Sequence, residues 1–239
     1  MRFFGIPYEG VDDFRRGTSL APAFIRFYLE SIEDYSTRQR AWARWEDLGD
    51  FYPPPEAKGK AFVEWALEKL REEAPEPPFI ALGGNHLITL PVCLYLRERL
   101  GEFAVLWLDA HLDMRHDYRG ELYSNATVAR RLVEEGFQVI HLFWRSAFPE
   151  AEEALEAEIP ERIYISLDVD VLDPSVAPGV SNPEPGGLSF RELLDFLVSL
   201  KGKDIVAADL VELNPLVDHR TGIVAALLLR ELAVLLSKS

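Results

Sequence analysis

Asp109, His111 and Asp113 occupy alternate positions in the segment WLDAHLD, residues 107–113. In an extended chain, side chains two residues apart point the same way, so the three would share one face. Two carboxylates and an imidazole removed together from water are costly unless a cation balances them. Two other segments carry a similar polar interruption. ALGGNHLITLP, 81–91, places His86 just after a Gly-Gly turn, and ISLDVDVLDP, 165–174, carries Asp168 and Asp170. Asp109, Asp113, Asp168 and Asp170 contribute four negative charges, and neutral His86 and His111 add none, so two divalent ions would neutralise the set. Oxygen and imidazole donors without sulfur favour manganese, with iron or cobalt also compatible, over structural zinc. Two such ions about 3.5 Å apart would hold a bridging water, lower its pKa and present hydroxide near neutral pH. The expected chemistry is metal-assisted hydrolysis.

The elements that must position these groups are legible as short apolar runs: RFFGI (2–6), FIAL (79–82), FAVLWLD (103–109), QVIHLFW (138–144), RIYISLD (162–168) and DIVAADL (204–210). Segments of helical period separate most of them, among them 59–74 and 189–202. Such alternation predicts an α/β fold, a parallel sheet covered by helices on both faces. Ligands of such sheets gather beyond the carboxyl ends of the strands, where all three polar clusters fall. SFRE at 189–192 reads as a capping box with Ser189 at the N-cap and Glu192 three residues on. The segment 222–238 is apolar around most of a helix and is expected to be buried, in the core or against another subunit.

Length and composition bound the rest. At 239 residues, with no internal repeat or long linker, one domain spanning 1–239 is expected. The lone Cys93 excludes an intrachain disulfide and a thiolate metal cluster. A net charge of −15 argues against nucleic acid or an anionic membrane as partner and favours cations or a cationic substrate. No apolar run approaches the ~18 residues of a membrane span, and MRFFGIPYEG lacks the signal-peptide pattern, so a cytoplasmic location is expected.

LGGNH (82–86), LWLDAHLD (106–113) and SLDVDVLDPSVAPGVSNPEPGG (166–187) resemble the signature segments of the arginase and agmatinase family of ureohydrolases. The likeness extends over nearly the whole chain, through GTSLAPAFIRFYLESIEDY near the start, WEDLGD (45–50) at a second strand, and DLVELNPLVD (209–218) at a last strand and loop. It implies a three-layer αβα sandwich around a mostly parallel sheet of about eight strands, and a trimeric or hexameric assembly. It also implies two Mn²⁺ per chain, one held by His86, Asp109, Asp113 and Asp168, the other by Asp109, His111, Asp168 and Asp170, with Asp109 and Asp168 bridging. Glu212 matches the glutamate that holds the substrate guanidinium, a planar cation well suited to a carboxylate. Asp113 would orient the hydroxide. The stretch 109–136 looks most like small prokaryotic agmatinases, which implies hydrolysis of agmatine or an extended relative to urea and an amine. Formimidoylglutamases share something like DAHLDMR and remain a rival. Agmatine ends in an ammonium, to which this loop offers Asp117 and Glu121; formimidoylglutamate carries carboxylates, to which it offers Arg115 and Arg119. The net acidity favours the cationic tail.

Two departures from the family pattern stand out. Asn125, in YSNATVARR, occupies a position that is usually a histidine relaying a proton to the leaving amine. An amide does not titrate, so Asn125 is left to position water or substrate, and losing such a relay costs roughly 10²- to 10⁴-fold in rate. Ser181 and Asn182 stand where agmatinases tend to have Gly-Thr, and Asn182, like Asn125, is expected at the substrate. His116 and His141 are the candidates for a substitute proton carrier. A metal-binding protein with little catalysis is the remaining reading.

Overall fold

A computed structural model describes residues 1–10, 14–148 and 158–237. Among the described residues nine strands form: β1 (Arg2–Ile6), β2 (Tyr35–Ser36), β3 (Ala41–Trp42), β4 (Glu46–Asp50), β5 (Phe79–Gly83), β6 (Ala104–Leu108), β7 (Gln138–Leu142), β8 (Arg162–Asp168) and β9 (Asp204–Val211). Seven of them build one sheet in the order β4-β1-β5-β9-β8-β6-β7, parallel at every pairing. This agrees with the expected sheet of about eight strands, and β2 and β3 pair with each other in a separate antiparallel ribbon.

Alternation of side chains along each strand divides the interior into two cores. Leu106, Leu108, Ile163, Ile165 and Leu167 point to one face, where they meet helices α1 (Ala21–Leu29), α5 (Phe190–Ser199) and α6 (Thr221–Leu236). Val105, Trp107, Phe79 and Tyr164 point to the other, against α2 (Gly59–Glu73), α3 (Thr89–Leu100) and α4 (Val128–Glu134). Burial on both sides is why these strands read as continuous apolar runs. The three layers expected from the family resemblance are present.

Helix α6 buries Ala225, Leu228, Leu229 and Leu232 within the chain itself, and its lone buried acid, Glu231, accepts hydrogen bonds from Ser36 Oγ at 2.7 Å and Gln39 Nε2 at 2.9 Å. Lys238, which the sequence pattern includes in this helix, lies outside the described residues. Ser189 caps α5 in the expected reciprocal box with Glu192. Among the described residues no helix is long and apolar enough to cross a membrane.

The crossover after β5 decides where chemistry can occur. The chain leaves β5, runs through α3 and enters β6 three positions away; β8 and β9 later fill the gap. The carboxyl ends of β5, β9, β8 and β6 thus become four adjacent positions on one rim, the crevice in which open α/β sheets bind ligands. Removing the α5 cap is a local perturbation, because the Ser189 hydroxyl bonds to Glu192 within its own capping box. Ser189→Ala is expected to lower stability by about 1 kcal/mol in urea denaturation, leaving metal binding unchanged.

Candidate metal centre

Each of the four rim strands delivers part of the site. His86 follows β5, Asp109 follows β6, Asp168 ends β8 and Glu212 follows β9. The pleat is not what aligns the i, i+2 pairs. Strand β6 stops at Leu108, and β8 gives way to a 3₁₀ turn over Val169–Val171. Instead, Asp109 Oδ1 accepts the His111 N–H at 2.6 Å, and Asp168 Oδ1 accepts the Asp170 N–H at 2.7 Å. Both are side-chain-to-backbone turns that fold the second ligand back beside the first. Asp113 then adopts a left-handed φ of 51° that returns its carboxylate towards the cluster.

Among the described residues two groups can hold an ion, His86 with Asp109 and Asp168, and Asp109 with His111 and Asp170. Asp109 belongs to both. His86 Nδ1 lies 3.1 Å from Asp109 Oδ2, 3.2 Å from Asp168 Oδ2 and 3.4 Å from Asp113 Oδ2. His111 Nδ1 lies 2.9 Å from Asp170 Oδ2 and 3.3 Å from Asp109 Oδ1. All six residues expected as ligands therefore converge.

Hydrogen bonding behind His86 supplies a test of whether a cation belongs there. Ser166 Oγ donates to Asp209 Oδ1 at 2.9 Å, so towards His86 Nε2, at 2.9 Å, it acts as acceptor. The Nε2 proton is thereby committed to Ser166, and Nδ1 is buried without a hydrogen bond among three carboxylates. A lone pair facing carboxylates is repulsive unless positive charge sits between them. The protein alone supplies it only by binding protons. Burial lowers the His86 pKa, but proximity to Asp109 and the charges around it outweigh this and push it up to about 9. His111 is half-buried, which lowers its pKa, yet Asp109 and Asp170 push it up to about 12. Burial, then carboxylate repulsion, drives Asp113 and Asp168 well above the usual range and raises Asp170. Asp109 alone is held low, against the cost of burial, by contacts with the two imidazoles. A nest of this kind fits divalent cations, which provide charge without protons.

Several residues that the sequence reading passed over complete the centre. Trp107 stacks on the His86 ring at 4.0 Å between centroids and donates Nε1–H to Asp109 Oδ2 at 3.1 Å, fixing two members of the cluster at once. Asp209 is fully buried and receives hydroxyl hydrogen bonds from Thr89 and Tyr164, both at 2.7 Å, besides that from Ser166. Its signal in the sequence is an aspartate inside the otherwise apolar run IVAADLV, 205–211. Arg145 donates to the carbonyls of Asp170, Leu172 and Glu184, tying the turn that carries Asp170 to the loop that carries Asn182.

The cluster forms the floor of a cleft of about 220 Å³ whose lining includes Glu212, Asn125 and Asn182. Glu212, at φ 66°, accepts the His86 N–H at 2.7 Å through Oε1. Asn125 opens a 3₁₀ turn with its Oδ1 buried and unpaired. Asn182 Nδ2 lies 2.9 Å from His111 Nε2, so it braces a cluster histidine as well as facing the cleft. Neither alternative proton carrier reaches this space. His116 is exposed outside it, and His141 is buried behind it with Nε2 at 3.0 Å from the Leu112 carbonyl. Among the described lining residues, the histidines are those of the cluster.

Comparison with known proteins gives concordant findings. The arginase family profile matches residues 1–150 and 140–235. An N(1)-aminopropylagmatine ureohydrolase of Thermus thermophilus is 33% identical over 241 residues, covering 88% of this chain and 81% of that protein. An agmatinase of Bacillus cereus is 29% identical, covering 96% and 89%. A mitochondrial arginase of Medicago truncatula is 38% identical over 74% of this chain, and the match spans 60% of that longer protein. The solved structure of an arginase from that plant superposes with a TM-score of 0.88 at 32% identity, covering 99% of this chain and 87% of the other.

The hydroxyl network behind His86 makes a prediction of its own. Asp209→Asn and Ser166→Ala should each weaken divalent-metal affinity by about 10- to 100-fold in calorimetric titration.

Proposed function

From a chain that belongs to the arginase family, we infer a manganese-dependent amidinohydrolase of agmatinase type, one domain binding two metal ions. The reading is carried by His86 Nδ1, buried without a hydrogen bond amid three carboxylates at the floor of a cleft that Glu212 also lines. His86, Asp109, Asp113 and Asp168 would hold one ion, and Asp109, His111, Asp168 and Asp170 the other. Iron or cobalt would suit the same donors. Bound there, the ions would activate water as a nucleophile at neutral pH.

The remaining work falls to the chain. Glu212 would hold the guanidinium over the cluster, since a carboxylate pairs well with that planar cation. Its own position is set by the His86 N–H and by its backbone bond to the Gly84 carbonyl at 2.9 Å. Asp113 would orient the attacking water. Attack at the guanidino carbon breaks its bond to the alkyl-bearing nitrogen. Guanidinium and water then become urea and an alkylammonium, both water protons ending on the leaving nitrogen. The unpaired Asn125 Oδ1 is available to accept an N–H of the substrate, but it cannot carry those protons.

A second reading, a metal-binding family member with little catalysis, draws its support from Asn125 together with the placement of His116 and His141 outside the cleft. One assay separates the two. Manganese-loaded protein should release urea from agmatine, arginine or 4-guanidinobutyrate, or formamide from formimidoylglutamate; no product from any of them leaves the second reading. If turnover occurs, Asn125→His should raise it at least tenfold, within the range expected for a restored acid–base group. Metal analysis should return about two divalent ions per chain, the number that cancels the charge of the four aspartates, and Asp109→Ala should reduce it.

A further inference from the structure

We propose that Asn182 belongs to the metal centre rather than to the substrate wall: its carboxamide oxygen accepts the Nε2–H of His111 and so turns the other ring nitrogen, Nδ1, onto the cluster. The proposal rests on the two-ion reading above and assigns a positioning residue to one of the two ions. It also gives a role to a departure from the family pattern, since asparagine stands here where agmatinases tend to have threonine.

The proton on His111 decides which end of the amide faces the ring. His111 Nδ1 lies 2.9 Å from Asp170 Oδ2 and 3.3 Å from Asp109 Oδ1, where an ion would take its lone pair. A neutral imidazole carries one N–H, so with Nδ1 given to the ion the proton is on Nε2. Asn182 Nδ2 lies 2.9 Å from that nitrogen, and an amide N–H there would set donor against donor. A half-turn of the carboxamide about its last bond exchanges its two ends without changing its shape, and puts the acceptor Oδ1 in line with the ring N–H. The neighbouring Glu184 carboxylate, 3.8 Å from Nε2, is beyond hydrogen-bond reach. Asn182 then does for His111 what Ser166 does for His86.

The loop that carries Asn182 is fastened to the turn that carries Asp170. Arg145 donates to the Glu184 carbonyl from Nε at 3.0 Å and from Nη2 at 2.7 Å, and from Nη2 to the Asp170 carbonyl at 2.7 Å. From the side of the turn, Asp173 Oδ2 accepts the N–H groups of Gly186 and Gly187 at 2.8 and 3.2 Å. Glycine at 187 permits that approach, because a Cβ there would lie 2.6 Å from the Leu172 and Asp173 backbone and from Arg145 Nη2. The bracing fixes the distance between Asp170 and Asn182, the two groups that grip opposite nitrogens of the His111 ring. His111 belongs to the ion-holding group it forms with Asp109 and Asp170, and His86 to the other. Loss of Asn182 should therefore act on one ion alone.

Manganese titrations followed by calorimetry and by electron paramagnetic resonance test this. The parent protein should bind two ions and, at two equivalents, give the spectrum of an exchange-coupled pair. Asn182→Leu, similar in size but unable to hydrogen-bond, should weaken one binding event by about 10- to 100-fold and leave the other within about twofold. At two equivalents the pair spectrum should then give way to that of isolated ions. Asn182→Asp keeps an acceptor oxygen and should restore both events to the parent's affinity or better. If Asn182→Leu leaves both events unchanged and reduces only the binding of agmatine, the residue returns to the substrate wall and the proposal falls. Equal weakening of both events overturns it too, as a general loosening of the cleft. So does an Asn182→Asp variant as weak as Asn182→Leu, which would make the amide nitrogen the contacting end. Each of these results leaves the amidinohydrolase reading standing, because the parent still binds two ions. A parent protein that takes up no manganese defeats both.

Discussion

The interaction on which this structure depends is the confinement of like charge. Four aspartates and two histidines are buried, or nearly so, at the ends of adjacent strands, with His86 Nδ1 set among three of the carboxylates. Such a cluster is unstable by itself, and its pKa shifts record how the protein would have to compensate, with protons held far outside their usual range on both imidazoles. Every neighbouring feature serves to hold that charge in place for a cation. The two aspartate turns fold Asp170 and His111 inward, Trp107 clamps His86 and Asp109, and Arg145 fastens the loops that close over them.

The same logic extends one layer deeper. Asp209 sits in the middle of a central strand, an expensive place for a carboxylate, and is kept there by three hydroxyls. One of them, Ser166, hands the interaction on to His86. The chain from carboxylate through hydroxyl to imidazole fixes which ring nitrogen bears the proton and therefore which one faces the carboxylates, the usual task of groups behind a histidine that can bind a metal. A polar interruption in an apolar strand is thus part of the site although it never touches the cleft.

Conserving the floor while changing the walls is a general way to divert a fold to a new substrate. Here the floor is complete, whereas the walls carry Asn125 in place of a titrating group and Asn182 beside His111. The floor is set by the charge of the acidic cluster. The walls need only suit what binds over it, and they lie on loops that the sheet does not constrain.

How much of this the sequence alone determined follows from the range of the forces involved. The parallel sheet, its helices, the α5 capping box and the six converging polar residues were legible because period, capping and buried charge leave local marks. The WLDAHLD segment does lie at a strand end, but an extended pleat is not what aligns its polar residues; turns after Leu108 do that work. Tertiary structure alone decided three things: that Asp209 lies behind His86, that His116 and His141 miss the cleft, and that Asn182 meets His111. Each depends on groups brought together by the β5-to-β6 crossover or by the folding of an irregular loop. No periodicity encodes such pairings, because the energy that fixes them comes from contacts between residues distant in the chain.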